Sequence, residues 1–191
     1  VIFSDITPNP KAAEVMAGVT AYFASECDGI VAVGGGSPMD CAKGIGIVVS
    51  NGGHILDYEG VDKIIVPMPP LICIPTTAGT SADVSQFAII NDTERKTKIA
   101  IISKTIIPDV ALIDPQTLTT KSPYLVACTG MDALVHAIEA FVSSAHSPMS
   151  DLHALEAIRL VTSSLLASLQ NPGDMELRAK TMLGSMQAGL A

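Results

Sequence analysis

Basic residues are scarce in this chain. Lys and Arg number 11 against 19 Asp and Glu in 191 residues, a formal net charge of −8, and they form no tract. A nucleic-acid binder must neutralise a polyphosphate with clustered basic groups, so the composition argues against that partner class. No apolar run approaches the ~20 residues of a membrane span, and no basic stretch followed by an apolar core opens the chain as a signal peptide does. A soluble, cytoplasmic protein with no membrane partner is therefore the expectation. Charged residues make up only 16% and hydrophobic residues 48%. At ~100–200 residues per domain this suffices for one full domain or two partial ones with a sizeable core. Cys27, Cys41, Cys73 and Cys128 are widely spaced and include no C-x-x-C pair, which argues against a zinc or dithiol centre. Each lies in or beside an apolar segment and reads as a reduced core thiol. An initiator Met is also missing, and the last residues continue a helical pattern, so an excerpt of a longer protein is expected.

The periodicities divide the chain near residue 122. Asn9 and Pro10 form an N-cap and first-turn proline, and Val15, Met16, Val19 and Phe23 follow at helical spacing over 9–26. Ile30–Val33 is a short β-branched run suited to a strand buried on both faces, and a helix over about 38–50 follows it. Similar runs at Leu71–Ile74, Phe87–Ile90, Ile99–Ile102 and Val110–Ile113 predict a strand-rich α/β region with some hairpins. Beyond Ser122-Pro123 the strand signal disappears, and helices are predicted over about 124–144, 150–170 and 174–191.

Three segments carry chemistry. In the first, Gly34-Gly35-Gly36-Ser37-Pro38-Met39-Asp40 joins the buried strand to the second helix. Ser37 as N-cap and Asp40 as third helical residue predict a reciprocal capping box. Three consecutive glycines need another reason, either a tight structural turn or close approach of a phosphate to a helix N-terminus. The spacing is not the G-x-G-x-x-G fingerprint. In the second, Pro75–Asp83 places the hydroxyls of Thr76, Thr77 and Thr80 after a strand, where open α/β sheets bind ligands; the alternative is a loop that satisfies its own backbone. Lys98 is a candidate cation to offset the acidic field beside a phosphate. In the third, Asp132 and His136 lie four apart on one face of an apolar helix. They form either a buried hydrogen-bonded couple, which the pair alone favours, or half of a divalent-metal site. Glu139 continues this stripe as a structural neighbour. His54, His146 and His153 read as satisfied or surface residues, with His153 able to approach the pair through helix packing.

Taken together, Gly34–Lys43, Pro75–Asp83 and Thr129–Phe141, with the opening Phe3–Pro10, resemble the iron-containing (group III) alcohol dehydrogenase family over essentially the whole chain. The resemblance implies an α/β fold: a Rossmann-like dinucleotide-binding domain over 1–122, followed over 123–191 by the start of an all-helical metal-binding domain. It implies hydride transfer between a small-molecule alcohol or aldehyde and NAD, with NADP not excluded, assisted by Fe²⁺ or Zn²⁺ in a homo-oligomer. Gly35, Gly36 and Ser37 would hold the cofactor's pyrophosphate, Asp40, Thr76, Thr77, Thr80 and Lys98 would also be cofactor-binding, and Asp132 and His136 would be two of four metal ligands. The remaining ligands and the family's first βαβ unit would lie outside these residues, so the chain alone is expected to be inactive. Many members read Gly-Thr-Gly-Ser-Glu where this chain has Gly79-Thr80-Ser81-Ala82-Asp83. Two alternatives stand beside this reading: a zinc-dependent glycerol or polyol dehydrogenase, and a nucleotide-binding module without catalysis.

Overall fold

The computed structural model describes residues 1–191. Its contacts separate two compact units, Val1–Ile74 with Gln86–Ala111, and Pro75–Ser85 with Leu112–Ala191.

The first unit is α/β. Helices α1 (Ala12–Ala24) and α2 (Gly36–Asn51) accompany six short strands: β1 (Ile30–Gly34), β2 (Gly60–Val61), β3 (Leu71–Pro75, whose last residue belongs to the second unit), β4 (Phe87–Asp92), β5 (Thr97–Ile102) and β6 (Val110–Ala111). One sheet has the order β1-β3-β6, with β3 and β6 parallel; the other has the order β2-β5-β4. In the second sheet β2 runs parallel to β5, while β4 and β5 form an antiparallel hairpin in register from Phe87↔Ile102 to Asp92↔Thr97. Burial alternates along the hairpin as the period-2 rule requires: Ala88, Ile90, Ile99 and Ile101 join Val15, Ile47 and Ile55 in one apolar core. β1 departs from the expected two-sided burial. It is an edge strand that buries only Ala32, and Val31 and Val33 stay exposed. α1 also starts later than expected. Asn9 has a positive φ of 58° and cannot begin the helix, so Lys11 becomes the N-cap, and its N–H donates to the Glu14 carboxylate at 3.0 Å.

The second unit is built on α3 (Pro123–Val142), α4 (Pro148–Gln170) and α5 (Met175–Leu190), which pack on one another. α3 buries Val126, Gly130, Ala133 and Ala137, one stripe at helical spacing made mostly of small residues. At Gly130 an added Cβ would stand 2.4 Å from Leu165 Cδ1 of α4, so the small stripe sets how closely the helices approach. The larger apolar residues Met131, Val135, Ile138 and Phe141 lie outside it and are exposed. α3 is therefore not the largely buried helix that its composition suggests.

Pro75–Ser85 groups with these helices. Ala78 clusters with Leu118 and Met182, and Ser81 Oγ donates to the Ser185 carbonyl at 2.6 Å. The contact-defined units thus interleave in sequence, whereas periodicity suggests one cut near 122. α3 and α4 also differ from the membrane expectation: both are long and apolar enough, by length and composition, to cross a membrane. Neither is an uninterrupted apolar run, since α3 carries Asp132, His136 and Glu139 and α4 carries Asp151, His153, Glu156 and Arg159.

Candidate functional site

β1 ends at Gly34, whose φ of +153° is a conformation that L side chains rarely adopt. A Cβ there would stand 2.7 Å from Pro38 Cγ. This glycine is required by the turn itself. α2 then begins at Gly36 with Gly35 as N-cap, and no side chain caps it. The expected box of Ser37 and Asp40 is absent because the helix starts earlier and both side chains are engaged elsewhere. Ser37 Oγ accepts the Asn9 N–H at 3.1 Å. The Asp40 carboxylate accepts the Ile89 N–H of β4, and burial pushes its pKa up to about 6 despite the Lys43 ammonium and that hydrogen bond. Asp40, expected among the cofactor-binding residues, is thus directed to β4. What remains at the turn is an uncapped N-terminus of a 16-residue helix, with the N–H groups of Gly36 and Ser37 oriented for an anion.

Lys43 is the residue that the motif reading passed over. It is fully buried, and its Nζ donates to the Phe87 carbonyl at 2.8 Å. The signal was its position three residues after Asp40, one helical turn along the same face. Lys98 is exposed near the turn end of the β4–β5 hairpin, opposite Asn91.

In the second unit the hydroxyl-rich loop is seated firmly. Ser81 (φ 52°) is buried, and Gly79 lies so close to α3 that a Cβ would meet the Thr129 carbonyl oxygen at 2.8 Å. Thr76 and Thr77 are half-buried and Thr80 is exposed. None of these three hydroxyls hydrogen-bonds within the chain, whereas Thr117 Oγ1 donates to the Pro75 carbonyl at 2.7 Å. A loop that merely satisfied its own backbone would consume these hydroxyls.

On α3, His136 Nε2 and Asp132 Oδ1 are 3.7 Å apart, and the two side chains are 41% and 45% exposed. The carboxylate is not buried, so the desolvation argument for a structural couple does not apply. One carboxylate oxygen and one imidazole nitrogen form a donor set suited to a borderline divalent ion. No third His, Cys, Asp or Glu joins them. The other histidines are engaged elsewhere: His54 accepts the Leu56 N–H, His146 Nδ1 lies 3.1 Å from Asp151, and His153 Nδ1 lies 2.7 Å from Gln187 Oε1 on α5. Glu139 is exposed. Of the four thiols only Cys41 and Cys73 are buried; Cys27 is half-buried and Cys128 is exposed. Cys128 lies off the small-residue stripe through which α3 packs, which is why its apolar neighbours do not bury it. Burial, with the Glu14 and Asp40 charges, pushes the Cys41 thiol up to about 12 and keeps it protonated.

Residues 1–115 match the family described as iron-containing alcohol dehydrogenase, and residues 126–191 match the C-terminal region of the Fe-containing alcohol dehydrogenase family. Alcohol dehydrogenase 4 of Schizosaccharomyces pombe is 43% identical over 190 residues, covering all of this chain and 45% of that protein. The NAD-dependent methanol dehydrogenase of Bacillus methanolicus is 40% identical over 190 residues, covering all of this chain and 50% of that protein. A crystal structure of 1,3-propanediol oxidoreductase superimposes with a TM-score of 0.98 at 39% identity, over the whole of this chain and 50% of its own. The chain spans about half the length of the relatives it matches. The glycine turn, the hydroxyl loop and the Asp132–His136 pair thus all lie within matched segments, and the chain belongs to the iron-containing alcohol dehydrogenase family.

Proposed function

We propose that, within a subunit of its relatives' length, this segment contributes the cofactor-phosphate turn and half of the metal ligands of an NAD-dependent alcohol dehydrogenase. The observation that carries the reading is the uncapped start of α2 behind Gly34, in a chain whose family members include an NAD-dependent enzyme. Gly35, Gly36 and Ser37 would supply backbone N–H groups and the helix dipole to the pyrophosphate. Thr76, Thr77 and Thr80 would give their unengaged hydroxyls to the cofactor. Asp132 and His136 would hold a divalent ion, which when bound polarises the alcohol oxygen while the nicotinamide takes the hydride. Fe²⁺ is the ion the family description favours, with Zn²⁺ compatible with the same donors. The partner is a small alcohol or its aldehyde.

The isolated 191 residues offer only two donors, fewer than the three protein groups that catalytic divalent sites employ. They should therefore show no turnover. The test is NADH formation from a panel of short alcohols and diols, with Fe²⁺ or Zn²⁺ supplied, by a full-length subunit carrying this segment. Turnover with NAD that disappears in His136→Ala supports the reading. Full activity in that variant overturns the metal assignment.

A further inference from the structure

Two of the chain's arginines, Arg95 and Arg159, are exposed and pair with carboxylates, Arg95 with Glu59 and Asp92 and Arg159 with Glu156. Arg178, in the first turn of α5, is the opposite case. It is only 7% exposed, and none of the ion pairs involves it. Its Nε donates to the Pro172 carbonyl at 2.6 Å, whereas the buried Nη1 has no hydrogen-bond partner in the chain. A buried charge without a counter-charge is costly, and a guanidinium cannot relieve the cost by losing a proton.

Arg178 lines a cavity of about 30 Å³ within the second unit, and a second cation, Lys121, lines it too. Lys121 also takes part in no ion pair. The nearest acids in sequence are engaged elsewhere: the Asp174 carboxylate accepts the Glu176 and Leu177 N–H groups, and Glu176 pairs with Lys180. Pro123, Val126 and Leu169 form apolar walls, and the Ser168 hydroxyl donates to the Leu165 carbonyl. The last turn of α4 offers only the partial negative charge of its carbonyls. Two cations and no acid thus share one small cavity in a chain whose net charge is −8. Its volume matches the share that one water takes in the liquid, ~30 Å³, which suits a monatomic ion and is too small for sulfate or phosphate. A water there would satisfy an N–H and leave both charges uncompensated.

We infer that Arg178 and Lys121 hold one halide ion, chloride being the common one, between the start of α3 and the turn that leads into α5. The anion accepts from the free guanidinium N–H and from the Lys121 ammonium, and so ties the Pro123 end of α3 to the Asn171–Asp174 turn. The site involves neither the cofactor residues nor Asp132 and His136, and it stands whether or not the cofactor reading does.

The test uses a full-length subunit carrying this segment, freed of metal and cofactor. Chloride binding is followed by NMR line broadening, and crystals soaked in bromide are examined by anomalous diffraction. Saturable broadening with a midpoint below about 50 mM chloride is expected, displaced by bromide, together with a bromide peak within hydrogen-bonding reach of Arg178 Nη1. Arg178→Met should abolish both signals, and Lys121→Met should raise the chloride Kd about fivefold. If Arg178→Met does not fold, Lys121→Met decides the matter, because Lys121 makes no bond whose loss would unfold the chain. A water in the cavity, with no anomalous signal, overturns the proposal. So does a bromide peak without saturable chloride binding, which is binding at crystal concentration only. Broadening with the same midpoint in Lys121→Met as in wild type places the anion elsewhere and overturns it as well.

Discussion

Gly79 offers a test of how the hydroxyl-rich loop is held, because its replacement by Ala can be compared with the same replacement at Gly173. Neither glycine has a positive φ, so both backbones accept a side chain. Both substitutions reduce the freedom of the unfolded chain, which stabilises a compatible site by about 0.4–1 kcal/mol. The sites differ only in space. A Cβ at Gly173 meets nothing within 4 Å, whereas a Cβ at Gly79 would lie 2.8 Å from the Thr129 carbonyl oxygen, 2.9 Å from Thr129 Cβ and 3.1 Å from Thr129 Cα. Two of those atoms belong to the backbone of α3, which cannot rotate aside as a side chain does. Overpacking of this kind costs about 1–3 kcal/mol, which outweighs the entropic gain. For a chain of this size 1 kcal/mol moves the melting temperature by roughly 2–4 °C. Gly173→Ala should melt about 1–4 °C above wild type, and Gly79→Ala several degrees below it, by circular dichroism on the 191-residue chain. In a full-length subunit Gly79→Ala should also weaken NADH binding although no hydroxyl is lost, because Thr76, Thr77 and Thr80 move with the loop. A Gly79→Ala chain as stable as Gly173→Ala would refute the seating of the loop on α3.

Gly36→Val should raise the NADH Kd at least tenfold while leaving the melting temperature unchanged or higher, since Val is a better helix former than Gly and only the approach to the backbone is obstructed. Thr77→Val should weaken NADH binding or turnover with a melting temperature within about 2 °C of wild type; a larger fall would place the hydroxyl in a structural network. His136→Ala should lose bound metal and turnover but little stability, because an exposed ion pair contributes only about 0–1 kcal/mol. For pH, Asp40 has a folded pKa of about 6 against an ordinary 3.8, so the folded state binds its proton more tightly, and stability contributed by the protonated form is lost as pH rises from about 4 through about 6, up to about 3 kcal/mol. Glu14 and Asp92, whose folded pKa values lie below their ordinary ones, act in the opposite sense and only at lower pH. Urea unfolding between pH 4.5 and 6.5 should show this fall in wild type and not in Asp40→Asn.

Local pattern made the elements legible but not their partners. Strands β3, β4 and β5 and the three late helices fall where alternation and 3.6-residue spacing place them, because each depends mainly on its own residues and one buried face. The Ser37–Asp40 box fails for the opposite reason. Ser-Pro-Met-Asp is a sound cap in isolation, but Asn9, 28 residues earlier, takes the serine hydroxyl, and Ile89, 49 residues later, takes the carboxylate. Tertiary bonds overrode a local preference worth about 1 kcal/mol. Cys128 and the apolar residues of α3 were misjudged because hydrophobicity marks what could be buried, whereas the closeness of α4 selects Gly130, Ala133 and Ala137. The candidate site was legible as residue types, and its burial was not.

The division of the chain into units bears on how these perturbations separate. The glycine turn is held by Asn9, Asp40 and Lys43, all in the first unit, while the hydroxyl loop is held by Thr129 and Ser185 in the second, the unit that also carries Asp132 and His136. The glycine turn and the hydroxyl loop thus have separate supports, each within its own unit. Changes at Asp40 should act within the first unit and leave the packing of Asp132 and His136 undisturbed. Changes to the α3 backbone near Thr129 should reach both the hydroxyl loop and the start of the stripe that holds Asp132. His136 is half-buried and lies nearly two turns beyond Thr129, so His136→Ala should remove the imidazole without moving the loop. The contrast between Gly79→Ala, expected to impair NADH binding, and His136→Ala, expected to spare it, follows from this packing, because both residues belong to the same unit and only Gly79 touches the loop's support.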